Sequence, residues 1–262
     1  MKRLLLSLIL LSAVGLSAQV SNCTSTSYGN SVTCVQAAVK IITSGTSTTL
    51  AYGSNPTANH LLIAWLSSDC PLSASSCNTE AATISDTIGN TWNTCPARLV
   101  GSGTQGSVYC WYAVNNSTAA DTITYASLLA PGSASHLMLQ TEWSGMATSS
   151  VLDQTGTATA ANQTTVSTSS ATTNGTDLVC GHFMDWTNND TLTVGSGYTI
   201  VGHNQDTTNG SADMTECKTV TTTGTQTATC GGNTSGDILV DTIQAFKTPV
   251  GGGAPTAMPV VY

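Results

Sequence analysis

The clearest indication of the fold of this chain is the stretch Val108-Tyr109-Cys110-Trp111-Tyr112-Ala113-Val114. Successive side chains of a β-strand point to opposite faces, so Val108, Cys110, Tyr112 and Val114 share one face and Tyr109, Trp111 and Ala113 share the other. Both faces are largely apolar, whereas a strand with one face in water would alternate apolar and polar residues. The stretch therefore predicts a strand in the middle of a β-sandwich, covered on both sides.

Segments of the same character recur along the rest of the chain. Runs rich in β-branched and aromatic residues alternate with clusters of Gly, Asn, Ser and Pro, and no segment has the pattern of a long helix. We expect an all-β fold of two packed antiparallel sheets, a jelly-roll or concanavalin-like sandwich with local disulfides. The predicted strands are Val32–Ile42, His60–Ser67, Ala82–Ile88, Ser107–Val114, Thr122–Tyr125, His136–Trp143, Thr164–Ser169, Asp177–Met184, Tyr198–Gly202, Met214–Thr221, Gln226–Cys230 and Ile238–Phe246.

The beginning of the chain predicts export. Two basic residues, Lys2 and Arg3, precede an apolar run from Leu4 to Leu16, and Ser17-Ala18 supply the small residues that a signal peptidase requires. The run is short for a membrane span, although an uncleaved anchor is the alternative. We predict a signal peptide over residues 1–18, a single β-sandwich domain over 19–247 and a disordered Gly/Pro-rich tail over 248–262. The expected location is extracellular or on the cell surface.

The charge of the chain excludes several classes of partner. Charged residues make up only 8% of the sequence, with 14 acidic residues against six basic ones, and two of those six lie in the predicted signal peptide. Nucleic-acid binding requires a basic surface, and so does electrostatic attachment to an anionic membrane. No later segment has the length or apolarity of a membrane span. The expected partner is therefore an extracellular glycan or protein.

The nine cysteines predict a mostly paired disulfide framework, because an exported protein folds under oxidising conditions. Their spacing suggests four local bridges and leaves Cys180, in an apolar run, as a buried free thiol. A metal site at Cys180-Gly181-His182 is disfavoured, since these residues are too close together and too isolated to supply a ligand set. The predicted bridges are Cys23–Cys34, Cys70–Cys77, Cys95–Cys110 and Cys217–Cys230.

Several short motifs follow one another in a fixed order. They are a D-x-x-G-N-x-W turn at Asp86–Trp92, a W-Y-A-x-N strand at Trp111–Asn115, an E-W-S-G strand end at Glu142–Gly145, G-Y-T at Gly197–Thr199 and a closing F-K at Phe246–Lys247. This ordered set resembles a functionally uncharacterised β-sandwich module of secreted bacterial proteins. The resemblance implies the fold and the extracellular location, and it implies no activity and no catalytic residue.

Two carboxylates are candidates for catalysis, because secreted sandwiches include glycoside hydrolases that use a pair of carboxyl groups across a cleft. Glu142, beside Trp143 at a strand end, is the better candidate, and Glu216 is a second. The alternative, which we favour, is that Glu142 binds the backbone of a neighbouring loop. The G-x-S-x-G motif of a serine nucleophile is absent from the sequence.

The chain has five tryptophans and only two phenylalanines, and tryptophan stacks well on sugar rings. Trp92, Trp186 and Trp143 are the candidate binding residues, whereas Trp65 and Trp111 are expected in the core.

Asp86 and Asn90 lie in one turn and supply hard oxygen ligands, so a structural Ca²⁺ is one interpretation. The other, which we favour, is ordinary turn chemistry: Asp accepts backbone hydrogen bonds, and Gly and Asn tolerate positive φ. No other cofactor is expected.

These observations favour a non-catalytic extracellular or cell-surface module that binds a glycan or a protein and serves adhesion. Two alternatives stay open. One is a secreted glycoside hydrolase that uses Glu142 with a second carboxylate. The other is a structural subunit of an extracellular layer or filament.

Overall fold

The computed structural model describes residues 18–69, 80–95, 99–100, 106–129, 135–161, 164–186, 190–233 and 238–249. In these ranges the chain forms strands and connecting loops and contains no helix. The strands are β1 (Ala18–Ser21), β2 (Thr24–Gly29), β3 (Val32–Ile42), β4 (Ser47–Ala51), β5 (Leu61–Asp69), β6 (Thr83–Asp86), β7 (Asn93–Thr94), β8 (Leu99–Val100), β9 (Gly106–Val114), β10 (Thr122–Ala126), β11 (Ser135–Ser144), β12 (Leu152–Ala161), β13 (Thr165–Ser167), β14 (Asp177–Asp185), β15 (Thr199–Asp206), β16 (Ser211–Val220), β17 (Thr227–Thr229) and β18 (Ile238–Lys247).

Two large antiparallel sheets make up the sandwich. Sheet A has the strand order β1-β15-β16-β14-β18-β12, and sheet B has the order β2-β3-β11-β5-β9-β7, with β8 also paired to β9. The predicted all-β antiparallel sandwich is therefore confirmed, and the jelly-roll connectivity stays a prediction. Within the described residues, no helix is long and apolar enough to cross a membrane.

The central strands of sheet B are covered on both faces. In β5, Ile63 and Trp65 belong to the core cluster between the two large sheets, while Leu62 and Leu66 pack in a second cluster with Tyr125. Tyr125 lies in sheet C, a small sheet of order β4-β10-β6 on the outer face of sheet B. This extra layer explains why the stretch 108–114 of the neighbouring strand β9 is apolar on both faces. A second small sheet, sheet D (β13-β17), lies on the outer face of sheet A.

The two halves of the chain repeat one topology. In the first half the four main strands have the order β3-β11-β5-β9, and in the second half they have the order β12-β18-β14-β16. In each half, the strand that comes fourth in the chain therefore lies in the sheet between the strands that come first and second. Both halves also add an outer pair, β4 with β10 and β13 with β17, at equivalent points along the chain. We describe the sandwich as two equivalent halves packed face to face.

The disulfides correct part of the sequence prediction. Cys23–Cys34 and Cys95–Cys110 are present as predicted, and Cys70 and Cys77 lie outside the described residues. Cys217, however, is bonded to Cys180, so the predictions of a free Cys180 and of a Cys217–Cys230 bridge were wrong. The reason is register: Cys180 and Cys217 are direct partners on β14 and β16, with their Cα atoms 4.1 Å apart.

Among the cysteines that the structure describes, Cys230 is the free thiol, and it is buried. Burial raises its pKa, so the reactive thiolate is scarce at neutral pH. We expect iodoacetamide to leave Cys230 unlabelled in the native protein and to label it in guanidinium chloride, as peptide mapping will report. Rapid labelling of Cys230 under native conditions would contradict its burial.

The two residues that flank the predicted domain, Ala18 and Thr248, lie in a strand or pack against the folded part of the chain. Ala18, the last residue of the predicted signal peptide, begins β1 and pairs with Gln205, and residues 1–17 lie outside the described ranges. Thr248, predicted as the start of the tail, is buried and donates a hydrogen bond from Oγ1 to the Thr176 carbonyl, 3.0 Å away. Thr248 therefore belongs to the folded domain, and residues 250–262 lie outside the described ranges.

Candidate functional site

Glu142, the leading catalytic candidate, is a fully buried loop anchor. Its Oε1 accepts the Thr57 backbone N–H at 2.8 Å and lies 2.6 Å from His60 Nδ1, and its Oε2 accepts the Gln36 side-chain amide at 2.6 Å. Gln36 also holds the same loop, because its Oε1 accepts the Ser54 N–H at 2.9 Å. The carboxylate thus fastens the segment before β5 and faces no open cleft.

Glu216 cannot complete a hydrolytic pair with Glu142. Trp143 and Cys217 both lie in the core between sheets A and B, so their neighbours Glu142 and Glu216 point to the outer faces of opposite sheets. Two packed sheets alone are about 10 Å apart, beyond the separation that a glycosidase pair needs. Glu216 is fully buried, and its Oε2 accepts the Gly195 N–H at 2.6 Å. Burial raises its pKa to about 7.

A serine and a histidine also meet inside the sandwich, in an arrangement that cannot reach a substrate. Ser67 Oγ lies 2.8 Å from His182 Nε2, and Asp213 Oδ2 approaches that same nitrogen at 3.9 Å. A catalytic aspartate would instead orient the histidine through its other nitrogen, which here contacts Thr215 Oγ1 at 2.7 Å. Ser67 and His182 are fully buried, and burial lowers the pKa of His182 to about 3.

The Asp86–Trp92 motif is a self-contained turn. Asp86 Oδ1 accepts the backbone N–H groups of Gly89, at 2.7 Å, and Asn90, at 3.0 Å, and its Oδ2 accepts the Trp92 indole N–H at 2.9 Å. Gly89 has a φ of 73°, which glycine adopts without strain. Both carboxylate oxygens of Asp86 are thus engaged by the turn itself, and this geometry supports the turn interpretation over the calcium interpretation.

Hydrogen bonds join three of the sequence motifs, at Asp86–Trp92, Trp111–Asn115 and Glu142–Gly145, into one network. Asn90 Nδ2 donates to Asn115 Oδ1 at 3.2 Å, and Asn90 Oδ1 accepts the Asn116 N–H at 2.9 Å. Asn115 Nδ2 in turn donates to the Thr57 carbonyl at 2.9 Å, and the N–H of Thr57 is bound by Glu142. Asn90, Asn115 and Glu142, each from a different sequence motif, therefore hold neighbouring loops in position.

The three tryptophans predicted as binding residues do not form an exposed surface. Trp143 is fully buried in the core and stacks edge-on against Tyr28, so its prediction as a binding residue was wrong. Trp92 is half-buried and packs against the cluster under sheet C. Trp186, also half-buried, packs against Val108, Met184 and Val240. The abundance of tryptophan suggested a binding role, whereas the exposure of each tryptophan depends on which sheet packs against it.

An open groove lies beside this network, between the edges of the two large sheets. It encloses about 420 Å³. Its floor is Tyr112, Val114 and Val151, and its walls are the neutral side chains of Thr91, Asn93, Asn116, Thr148, Ser149 and Ser150. None of these lining residues is charged. We call it the Tyr112 groove. Tyr112 lies in the stretch 108–114, for which the sequence predicted only a strand covered on both faces.

A second groove continues on the other side of the loop 148–150. It encloses about 410 Å³ and is lined by Met146, Ala147, Thr148, Ser149, Ser150, Lys247, Thr248 and Pro249. The exposed hydroxyl-bearing loop therefore separates two adjoining depressions.

In the second half of the chain, the position equivalent to the Tyr112 groove is covered. Val114 and Thr219 are equivalent, because each pairs with the first leucine of the neighbouring strand, Leu61 or Leu178. Thr219 Oγ1 donates to the Tyr28 carbonyl and accepts from Asn30 Nδ2, so the β2–β3 hairpin covers that side. The groove at Val114 remains open because valine makes no such bond and a loop replaces the hairpin.

No group of three or more His, Cys, Asp or Glu side chains within the described ranges is arranged to hold a metal ion. Comparisons with models of known protein families, with curated proteins and with solved structures found no match to this chain.

Proposed function

We propose that this chain is a secreted, non-catalytic binding module that holds a neutral saccharide in the Tyr112 groove. The observation that carries the proposal is the lining of the groove: hydroxyl and amide groups surround one partly exposed aromatic ring, without a charged side chain. Sugar hydroxyls exchange hydrogen bonds with such groups, and the apolar face of a sugar ring packs on an aromatic ring. The volume of about 420 Å³ lies in the range of small-molecule sites.

The surroundings of the groove support binding without turnover. The network of Asp86, Asn90 and Asn115 holds in place the wall that Thr91 and Asn116 form, so this side of the groove loses little entropy when a ligand binds. The candidate carboxylates Glu142 and Glu216 are buried and engaged elsewhere. The three disulfides found in the described part of the chain suit the oxidising environment outside a cell.

A glycan array combined with hydrolysis assays on soluble polysaccharides tests this function. We expect binding to a subset of neutral glycans and no release of reducing ends. Release of reducing ends would overturn the non-catalytic assignment. Binding only to proteins, or only to charged glycans, would overturn the saccharide assignment.

Replacing Tyr112 by alanine is expected to weaken glycan binding by about fivefold to tenfold, because the stacking surface is worth about 1 kcal/mol. Tyr112→Phe is the matched control: it keeps the ring, which packs edge-on against Phe246 with centroids 5.7 Å apart. Isothermal titration calorimetry on both folded variants gives the comparison. Since Tyr112→Ala also removes a packing contact, Asn93→Ala, on the exposed wall, provides a second test. Unchanged affinity in Tyr112→Ala and Asn93→Ala would place the ligand elsewhere.

A further inference from the structure

A lysine and two aspartates meet where three strands of sheet A run side by side. Lys247 ends β18, and Asp177, which begins β14, is its direct partner in the register. Asp153 lies on β12, on the other side of β18, at a bulge between Leu152 and Gln154. A bulge turns a side chain away from its regular direction. Here Lys247 Nζ lies 3.6 Å from Asp153 Oδ1.

The carboxyl group of Asp153 is held by donors on both oxygens. Its Oδ2 accepts the backbone N–H groups of Thr173, at 2.6 Å, and Asn174, at 3.1 Å. Its Oδ1, the oxygen nearer the lysine, accepts the Thr173 hydroxyl at 2.5 Å. The side chain of Asp153 is only 2% exposed, and that of Lys247 is 28% exposed. Two backbone N–H groups on one carboxyl oxygen are the arrangement that stabilises an oxyanion in acyl transfer.

Asp177 is the unexplained member of this group. It is fully buried, and neither of its carboxyl oxygens has a hydrogen bond of normal geometry within the described residues, although the side chains of Asn174 and Asp153 lie close enough to shift its pKa. A buried carboxyl without well-formed hydrogen bonds is costly unless it is protonated or has a function. Burial raises the pKa of Asp177 to about 7, and the negative charge of Asp153 adds to this shift. Asp177 therefore carries a proton in a large fraction of molecules at neutral pH, beside an amine and a carboxylate.

We propose that Lys247 and Asp153 form an intramolecular isopeptide bond, with Asp177 as the group that transfers protons. This inference goes beyond the proposed function and does not depend on it, because it rests on different residues. The bond would join the last strand of the domain to the strand β12 that begins the second half.

The reaction is a condensation that balances without any further reagent. Burial raises the pKa of Asp153, but the Thr173 and Asn174 donors and Lys247 outweigh burial and lower it, so Asp153 stays ionised until the attack begins. As Nζ attacks, Asp177 accepts a proton from the Lys247 ammonium group and gives its own to Asp153 Oδ1. The freed lone pair on Nζ attacks Cγ of Asp153, while the Thr173 and Asn174 N–H groups stabilise the charge on Oδ2. Asp177 then takes a second proton from Nζ and passes its proton to Oδ1, so the C–Oδ1 bond breaks, Oδ1 leaves as water and Asp177 is protonated again as at the start. A charged pair is thereby replaced by a neutral amide, which burial favours.

The mass of the intact protein, measured after unfolding and full reduction, tests the proposal directly. We expect the wild-type chain to be lighter by one water than the mass calculated from its sequence, starting at the N-terminal residue of the purified protein. Peptide mapping is expected to find a branched peptide that joins Asp153 to Lys247. Reduction removes the disulfides, so they cannot account for the difference. A wild-type chain of full mass with an unmodified Lys247 would overturn the bond.

Two variants test the roles of the residues. Lys247→Arg keeps the positive charge beside Asp153 but lacks the attacking amine, and Asp177→Asn keeps the shape but cannot transfer a proton. We expect both variants to have the full calculated mass while their circular dichroism spectra stay like that of the wild type. Loss of one water in Lys247→Arg would show that the cross-link lies elsewhere. Loss of one water in Asp177→Asn would overturn the role given to Asp177.

Discussion

Replacing Glu142 by alanine is expected to lower the free energy of unfolding by about 3 kcal/mol, because three partly buried polar groups lose their shared acceptor together. The Thr57 N–H, the Gln36 amide and His60 all point at this one buried carboxylate. The loop that they hold also receives a hydrogen bond from Asn115, so the turn at Asp86–Trp92 should loosen as well. Denaturant unfolding followed by tryptophan fluorescence gives the free energy.

A catalytic Glu142 would behave differently, and this separates the two interpretations. A residue that acts on substrate loses activity on substitution and costs little stability. Asn93→Ala is a suitable control for the measurement, because Asn93 is exposed on the same end of the sandwich. A stability of Glu142→Ala within about 0.5 kcal/mol of the wild type would contradict the anchoring role.

The stability of the protein is expected to rise as the pH falls from about 8 to about 6. Burial raises the pKa of Asp69 to about 8, that of Glu216 to about 7 and that of Asp213 to about 6. Burial also raises the pKa of Asp241 well above its usual range, and neither of its oxygens has a hydrogen-bond partner within the described ranges. The folded protein therefore binds protons in this pH window that the unfolded chain, with carboxyl pKa values near 4, has released.

The sign and size of the effect follow from this difference in bound protons. Each extra proton held by the folded state adds about 1.4 kcal/mol to the free energy of unfolding for every unit by which the pH falls. With at least one net proton taken up on folding, we expect a gain of about 3 kcal/mol between pH 8 and pH 6. The window ends there because burial lowers the pKa of His182 to about 3, so protonation of this histidine in the unfolded chain opposes the trend below about pH 6.5.

Guanidinium chloride unfolding at pH 8, 7 and 6 measures this dependence. Asp241→Asn is the matched variant, since it keeps the shape of the side chain and removes one of the titrating groups. We expect Asp241→Asn to be more stable than the wild type at pH 8 and to show a flatter pH dependence. Equal stability of the wild type at pH 8 and pH 6, or a lower stability at pH 6, would contradict the prediction.

Residues close together in the sequence allowed correct predictions. The turn at Asp86–Trp92 could be recognised because Asp86 accepts bonds from residues three and four positions later. The loop-anchoring role favoured for Glu142 agrees with its contact to the Thr57 backbone, but the two residues are 85 positions apart, so the sequence could not identify the partner loop. The bridges Cys23–Cys34 and Cys95–Cys110 close short loops, which spacing suggests directly.

Errors arose where distant residues meet. Cys180 pairs with Cys217 across 37 residues, because two strands happen to align there. Trp143 is buried because Tyr28 and the opposite sheet cover it. The Tyr112 groove combines side chains from three separate segments, and no one of these segments indicates a site alone. The group of Lys247, Asp153 and Asp177 likewise exists only because β12, β18 and β14 are neighbours in sheet A.

The all-β class, the buried central strand and the local turns could be predicted from the sequence, since side-chain alternation and turn chemistry act over a few residues. The pairing of the cysteines, the faces that the carboxylates occupy and the place where the sandwich stays open could be seen only in the folded structure. Those properties depend on strand register and on which sheet covers which, and both are set by contacts between residues far apart in the chain.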